Sequence, residues 1–224
     1  MIGQILKINW EKGFGFLICN SQNYYFKIRN CIDKVNVGEK VAFEKNETNI
    51  GLVAIAIRKV YENEIGTLFI PRINYHHIHL KLEDFLPDII DRIKIDPSEE
   101  IIEFEYEFPS VIGKTYCIKT NLENKIIYAI RKGRMGHTRF ATDEVPQDCK
   151  HLFLVLKKIE EGYLILTIFI GKKAAREPWD EQANLEDLEF WQNNALIFNP
   201  NDIISGSESA ECPWVLNQPS ICKL

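Results

Sequence analysis

The chain has 224 residues, 46% of them hydrophobic and 26% charged, with a formal net charge of −5. That is the composition of an ordinary globular protein long enough for two small domains, and no apolar run approaches the ~20 residues a membrane-spanning helix needs. The charge is unevenly placed: residues 1–60 carry nine cations against five carboxylates and residues 121–176 eleven against six, whereas residues 61–120 and 177–224 are acidic. Local patches of this kind, rather than bulk charge, decide where a polyanion approaches. MIGQILKINW shows no secretion signal. The six cysteines (Cys19, Cys31, Cys117, Cys149, Cys212, Cys222) have no regular spacing, which predicts free thiols, a cytoplasmic protein and no metal centre.

Residues 1–60 read as five short strands with turns between them: GQILKIN, GFGFLIC, NYYFKI, EKVAFEK and LVAIAIRKV. Five strands without a helix predict a small closed barrel. In KGFGF the strand alternation puts Lys12, Phe14 and Phe16 on one face and leaves the opposite face bare at Gly13 and Gly15. Rings flanked by cations form a stacking platform, on which each base contributes roughly 1–3 kcal/mol.

On these residues the block resembles a cold-shock domain, an OB-type barrel for single-stranded RNA or DNA. KGFGFL (12–17) resembles its first ribonucleoprotein motif, YYFKI (24–28) stands where the second belongs, and VGEKVAFE (37–44) resembles a later strand. The resemblance implies that Phe14, Phe16 and Tyr25 stack bases and that Lys12 contacts phosphate. Two positions depart from the family pattern. Lys27 replaces the usual histidine of the second motif, and Ile8 stands where a tryptophan is usual, with Trp10 displaced two positions on; either the platform is smaller or Trp10 supplies the ring from the loop.

Residues 61–75 (YENEIGTLFIPRINY) predict a linker. In HHIHLKLEDFLPDIIDRI, Leu82, Phe85, Leu86, Ile89, Ile90 and Ile93 recur at helical spacing, with Pro87 kinking the helix or opening its second half. His77 and His79 share a face if the segment is extended, the arrangement that presents imidazoles to a metal or a phosphate; no cysteine or acid stands at ligand spacing nearby. Strand patterns follow (IIEFEYEF, TYCIKT, KIIYAIRK, HLFLVLKKI, YLILTIFIGKK). A last helix is expected over NLEDLEFWQNNALIF, with Leu185, Leu188, Trp191 and Leu196 inward. The expected fold is therefore two domains: an all-β five-stranded OB barrel (1–60) and, after the 61–75 linker, an α+β domain (76–200) with an antiparallel sheet flanked by helices, then an irregular acidic tail (201–224).

Between the strand-like Ile126–Ile130 and Phe140, glycines break the chain into a cationic loop bearing Arg131, Lys132, Arg134, His137, Thr138 and Arg139. Four cations beside one imidazole suit a phosphodiester, since cations neutralise a phosphorane-like transition state while histidine moves protons near neutral pH. REPWD (176–180) adds Glu177 and Asp180, which either orient an arginine or act as a base, or serve as a helix cap beside a core Trp179.

The KxGRxGHTRF loop, the VLKK and TIFIGKKA strands and the EPWD corner together resemble the metal-independent RNase toxins of the barnase, EndoU, colicin and RelE type. That resemblance implies an endoribonuclease without cofactors. Active-site residues differ among such enzymes, so the roles are assigned from the residues themselves: His137 is general acid or base, Arg131, Lys132, Arg134 and Arg139 clamp phosphate, Thr138 donates a hydrogen bond, and His77 or His79 is the second proton-transfer group. The expected partners are single-stranded RNA, the ribosome and an inhibitor (antitoxin) protein, with no membrane. The alternative is a non-catalytic RNA- or ribosome-binding translational regulator.

Overall fold

A computed structural model describes residues 1–49, 51–71, 85–96 and 98–214. The first five strands are β1 (Ile2–Asn9), β2 (Phe14–Cys19), β3 (Gln22–Lys27), β4 (Lys40–Thr48) and β5 (Gly51–Lys59). They close into a barrel in the order β1-β2-β3-β5-β4, the small OB-like barrel the strand pattern predicts. Alternation fills it: Ile5, Leu17, Tyr24, Phe26, Val41, Phe43, Ala54 and Ile57 turn inward and form one buried cluster.

The following strands are β6 (Tyr61–Glu62), β7 (Leu68–Pro71), β8 (Ile101–Glu107), β9 (Gly113–Thr115), β10 (Cys117–Lys119), β11 (Ile126–Ile130), β12 (His137–Ala141), β13 (Gln147–Cys149), β14 (His151–Ile159), β15 (Gly162–Ile170) and β16 (Asn194–Ile197). They make a five-stranded sheet β6-β7-β15-β14-β8, a four-stranded sheet β10-β16-β12-β11 and a two-stranded pair β13-β9. The two helices among the described residues are short: α1 (Leu86–Ile89) and α2 (Leu185–Asn193). None of the described helices is long and apolar enough to cross a membrane.

One antiparallel sheet flanked by helices is therefore not what forms. The strands after residue 60 divide among three sheets, and two pairings are parallel, β7 with β15 and β12 with β16. Two sequence segments explain the difference. HTRFA is a strand rather than loop, because Thr138, Phe140 and Ala141 are buried. The last helix stops at Asn193, where the Asn193 and Asn194 side-chain amides donate to the Glu189 and Phe190 carbonyls, and the apolar residues Ala195 to Ile197 become β16. Leu196 accordingly lies on a strand, Leu185 is exposed, and Trp191 is the buried anchor of α2. Pro87 opens the short α1, while Leu82 falls outside the described residues.

The chain separates into two compact units, residues 1–106 with 153–169 and residues 107–152 with 170–224. In the first, Ala42, Val60 and Ile70 are buried together and Ile159 and Leu164 pack on them, so the described part of the expected 61–75 linker, residues 61–71, contributes strands and core. In the second, the segment read as an irregular tail runs beside β11 over residues 203–209: Tyr128 and Ser209 exchange two backbone hydrogen bonds of 2.8 Å, and Ile203 is buried. Cys19, Cys31, Cys117 and Cys149 are free thiols; Cys212 is disulfide-bonded, against the expectation from spacing.

Candidate nucleic-acid interface

The outward face of β2 and β3 is built by two glycines and a register. Gly13 takes a left-handed conformation (φ +72°) at the turn entering β2. At Gly15 a Cβ would stand 2.4 Å from Phe26 Cζ and 2.6 Å from the Lys7 carbonyl oxygen. The ring of Phe26 thus packs directly under a bare backbone, and the flanking Phe14 and Phe16 point away from the core. Pairing of β2 with β3 puts Phe14 opposite Lys27 and Phe16 opposite Tyr25. The result is a triangle of rings, Phe14, Phe16 and Tyr25, with every centroid 5.8 Å from the other two. Phe16 is 37% exposed, which leaves an apolar ring in water on a barrel whose interior is already filled.

Cations surround the triangle. Lys12 and Lys27 are exposed, the first in a turn whose backbone N–H donates to Asn9 Oδ1 at 3.0 Å. Two more were not singled out in the sequence. Lys7 lies opposite Phe16 in the β1–β2 register, and Arg29 follows β3 on the wall of a groove of about 450 Å³ that continues from Tyr25 past Asn30 and Val53. Counting pairs back from the turn at residues 10–13 would have found Lys7; Arg29 sits two residues beyond Lys27.

None of Lys7, Lys12, Lys27 and Arg29 has a carboxylate partner among the described residues, whereas Lys40, Lys45, Arg58 and Lys59 are paired with Glu62, Glu47, Asp33 and Glu39. Lys34, which lines a cavity with Ile8 and Cys31, is a further barrel cation without a carboxylate partner among the described residues. Trp10 is 56% exposed and lines that same cavity of about 260 Å³ with Ile8, Phe26, Ile28, Cys31 and Val35; it makes no ring contact with the triangle among the described residues. Burial, with Asp33 adding to it, pushes the Cys31 thiol up to about 11.

The second cationic stretch is arranged differently. Arg131 and Thr138 both donate to the Glu177 carboxylate, and Trp179 Nε1 donates to it at 3.2 Å. Gly136 lies against Trp179, where a Cβ would meet Trp179 Cβ at 2.3 Å. The EPWD corner therefore closes on the hairpin as a structural lock: Glu177 orients an arginine, and Asp180 accepts from the Gln182 N–H while Asn184 caps α2. Thr138 is fully buried, and strand alternation puts His137 and Arg139 on the other face of β12.

Of the remaining members of the expected clamp, His137, Lys132 and Arg139 have partners of their own. His137 Nε2 lies 3.2 Å from the Ser207 carbonyl oxygen. Lys132 donates to the Asn201 carbonyl at 2.7 Å, and Arg134 is exposed in the turn. Arg139 donates to Thr120 Oγ1 and the Asn194 carbonyl. His77 and His79 lie outside the described residues. The described residues thus bring together Arg131 and Thr138 around a carboxylate, while His137 and Arg139 share the opposite face of β12 with different hydrogen-bond partners. No cluster of three or more metal-ligating side chains occurs among the described residues.

No protein-family profile matches the chain. No curated protein matches it. Among solved structures, one titled "drosophila Unr CSD456" aligns with 76% of this chain at 13% identity and a TM-score of 0.25. This chain spans 62% of the length of that structure. At that score the likeness carries no weight, and the barrel assignment stands on its own strand order and closure.

Proposed function

We propose that the protein binds single-stranded nucleic acid, RNA foremost, on the outward face of its barrel. Phe14, Phe16 and Tyr25 stack bases, and Lys7, Lys12, Lys27 and Arg29 hold the phosphates beside them. The observation that carries this reading is the coincidence of the ring triangle with four cations that lack carboxylate partners among the described residues, while four of the other five barrel cations are paired. Stacking accepts any base and gives little sequence preference, and the cations make affinity fall with salt.

The reading is of binding alone. The lock at Glu177 and the hydrogen bonds that engage His137 and Arg139 with other groups of the protein favour a structural role for the second cationic stretch over transphosphorylation. Fluorescence anisotropy with a labelled single-stranded oligonucleotide tests it. Phe16→Ala should weaken binding by roughly 5- to 150-fold, the equivalent of about 1–3 kcal/mol. Equal binding by wild type and by a Phe14→Ala/Phe16→Ala double variant contradicts it.

A further inference from the structure

The second compact unit holds a cavity of about 230 Å³ that the barrel reading leaves unused. Arg139 and Tyr128 reach it from directly opposed positions of β12 and β11. Trp214 stands edge-on to Tyr128 with centroids 5.1 Å apart, and its indole N–H donates to the His137 carbonyl at 3.3 Å, so this wall is held from two sides. The side chains of Asn121, Gln192 and Asn193 lie on the lining; Asn121 Oδ1 already accepts from the Glu123 N–H and Asn193 Nδ2 already donates to the Glu189 carbonyl, which leaves the Asn121 amide N–H and the Asn193 amide oxygen for a ligand.

Arg139 is the one charged residue among those lining the cavity. Its Nη1 donates to two neutral acceptors, Thr120 Oγ1 at 2.7 Å and the Asn194 carbonyl at 2.9 Å. No carboxylate lies within ion-pair distance of it among the described residues. Arg131, on the same hairpin, shows the alternative: there the guanidinium is neutralised by Glu177. At Arg139 a fixed, half-buried guanidinium is left with its charge uncompensated beside aromatic walls. Such a group favours an anion, and its planar fork suits phosphate oxygens.

The remaining chemistry narrows the anion. Tyr128 and Trp214 offer apolar ring surface to a planar group, and side-chain amides both donate and accept, as the edge of a nucleobase requires. The volume is below the ~300–1,000 Å³ of sites for drug-sized ligands, room for one base rather than a run of them. We propose that this cavity binds a single nucleoside monophosphate unit, its base against Trp214 and Tyr128 and its phosphate on Arg139. The unit is either a free nucleotide or one nucleotide of a strand.

The test is calorimetric titration of the full-length Phe14→Ala/Phe16→Ala protein, a background in which the barrel face is disabled and nucleotide binding reports the cavity alone. A failure here is thereby distinguished from a failure of the barrel reading. The titrants are AMP, GMP, CMP and UMP, inorganic phosphate, and a short single-stranded oligonucleotide. Binding of a mononucleotide supports the proposal with a free nucleotide as ligand; binding of the oligonucleotide alone supports it with a strand as the source.

Arg139→Lys keeps a charge and a donor for Thr120 but loses the fork, and should weaken that binding about tenfold or more. Gln192→Ala, on α2, should change the order of preference among the four bases with far-UV circular dichroism unchanged. No binding in any arm, phosphate bound as tightly as the nucleotides, or both variants binding like their parent, overturns it.

Discussion

Gly15 shows how one missing side chain creates a surface. With Phe26 fully buried beneath it and the Lys7 carbonyl fixed in the sheet, neither neighbour can give way to a methyl group. Gly15→Ala should therefore cost about 1–3 kcal/mol, measured by urea unfolding, through overpacking. Glu177 is the corresponding single point in the second unit, since Arg131, Thr138 and Trp179 all donate to it. Glu177→Ala should cost about 1–3 kcal/mol, below the ~3–5 kcal/mol of a fully buried pair because Arg131 keeps 29% of its side chain in solvent.

Two thiols set an alkaline limit at the same scale. Burial pushes both Cys31 and Cys117 up to about 11, with Asp33 adding to the first and Glu177 to the second, while Arg131 opposes at Cys117. An unfolded thiol ionises near ~8.5. Above that pH the unfolded chain has lost protons that the folded chain retains, so stability falls as pH rises from ~8.5 towards 11. Denaturant titrations at pH 7 and pH 10 check this, and Cys31→Ser/Cys117→Ser should reduce the difference.

The helix α2 depends on its first turn. Asn184 accepts from the Asp187 N–H at 3.0 Å, and Asp187 accepts from the Asn184 N–H at 2.9 Å, a reciprocal capping box. Asn184→Ala should destabilise the helix by about 0.5–2 kcal/mol. The Asn184 N–H, then those of Arg176 with the charges of Arg176 and Lys173, hold the Asp187 carboxyl below its ordinary range, though desolvation opposes them. A lowered folded pKa means that this contribution is present above the unfolded value of ~3.9 and is lost as pH falls through the folded one. Amide protection factors at Asp187 and Leu188 should fall on acidification below ~4 ahead of those in β16; an equal fall in both would contradict it.

Elements were legible where one rule acted alone. The five barrel strands follow from period-2 alternation and turn residues. HTRFA was obscured because glycines and cations precede it, and the burial of Thr138 rests on Glu177, 39 residues away. β16 was hidden inside an apolar run whose spacing also suits a helix, and side-chain amides at Asn193 and Asn194 decide where the helix ends.

At the scale of the molecule, net charge misleads and placement informs. A chain of charge −5 keeps Lys7, Lys12, Lys27 and Arg29 beside three rings and, among the described residues, without carboxylate partners. Three to four phosphate contacts would make the logarithm of affinity fall with that of salt at a slope of roughly −2 to −3, at about −0.7 per phosphate for single strands. Lys27→Ala should reduce the slope by about 0.7, read from anisotropy over a range of salt concentrations. The platform was readable from KGFGF and YYF because its residues are close in sequence. The partition into two interleaved units and the cavity at Arg139 were not, since β10, β12 and β16 meet across more than fifty residues of chain.

The most direct measurement is an amide chemical-shift map of the full chain titrated with a short single-stranded oligonucleotide. Binding on the barrel face predicts that the largest shifts fall on residues 12–17 and 24–29 and on Lys7, with none of that pattern in the Phe14→Ala/Phe16→Ala variant. Shifts that avoid β2 and β3, or that persist unchanged when both rings are removed, would contradict it.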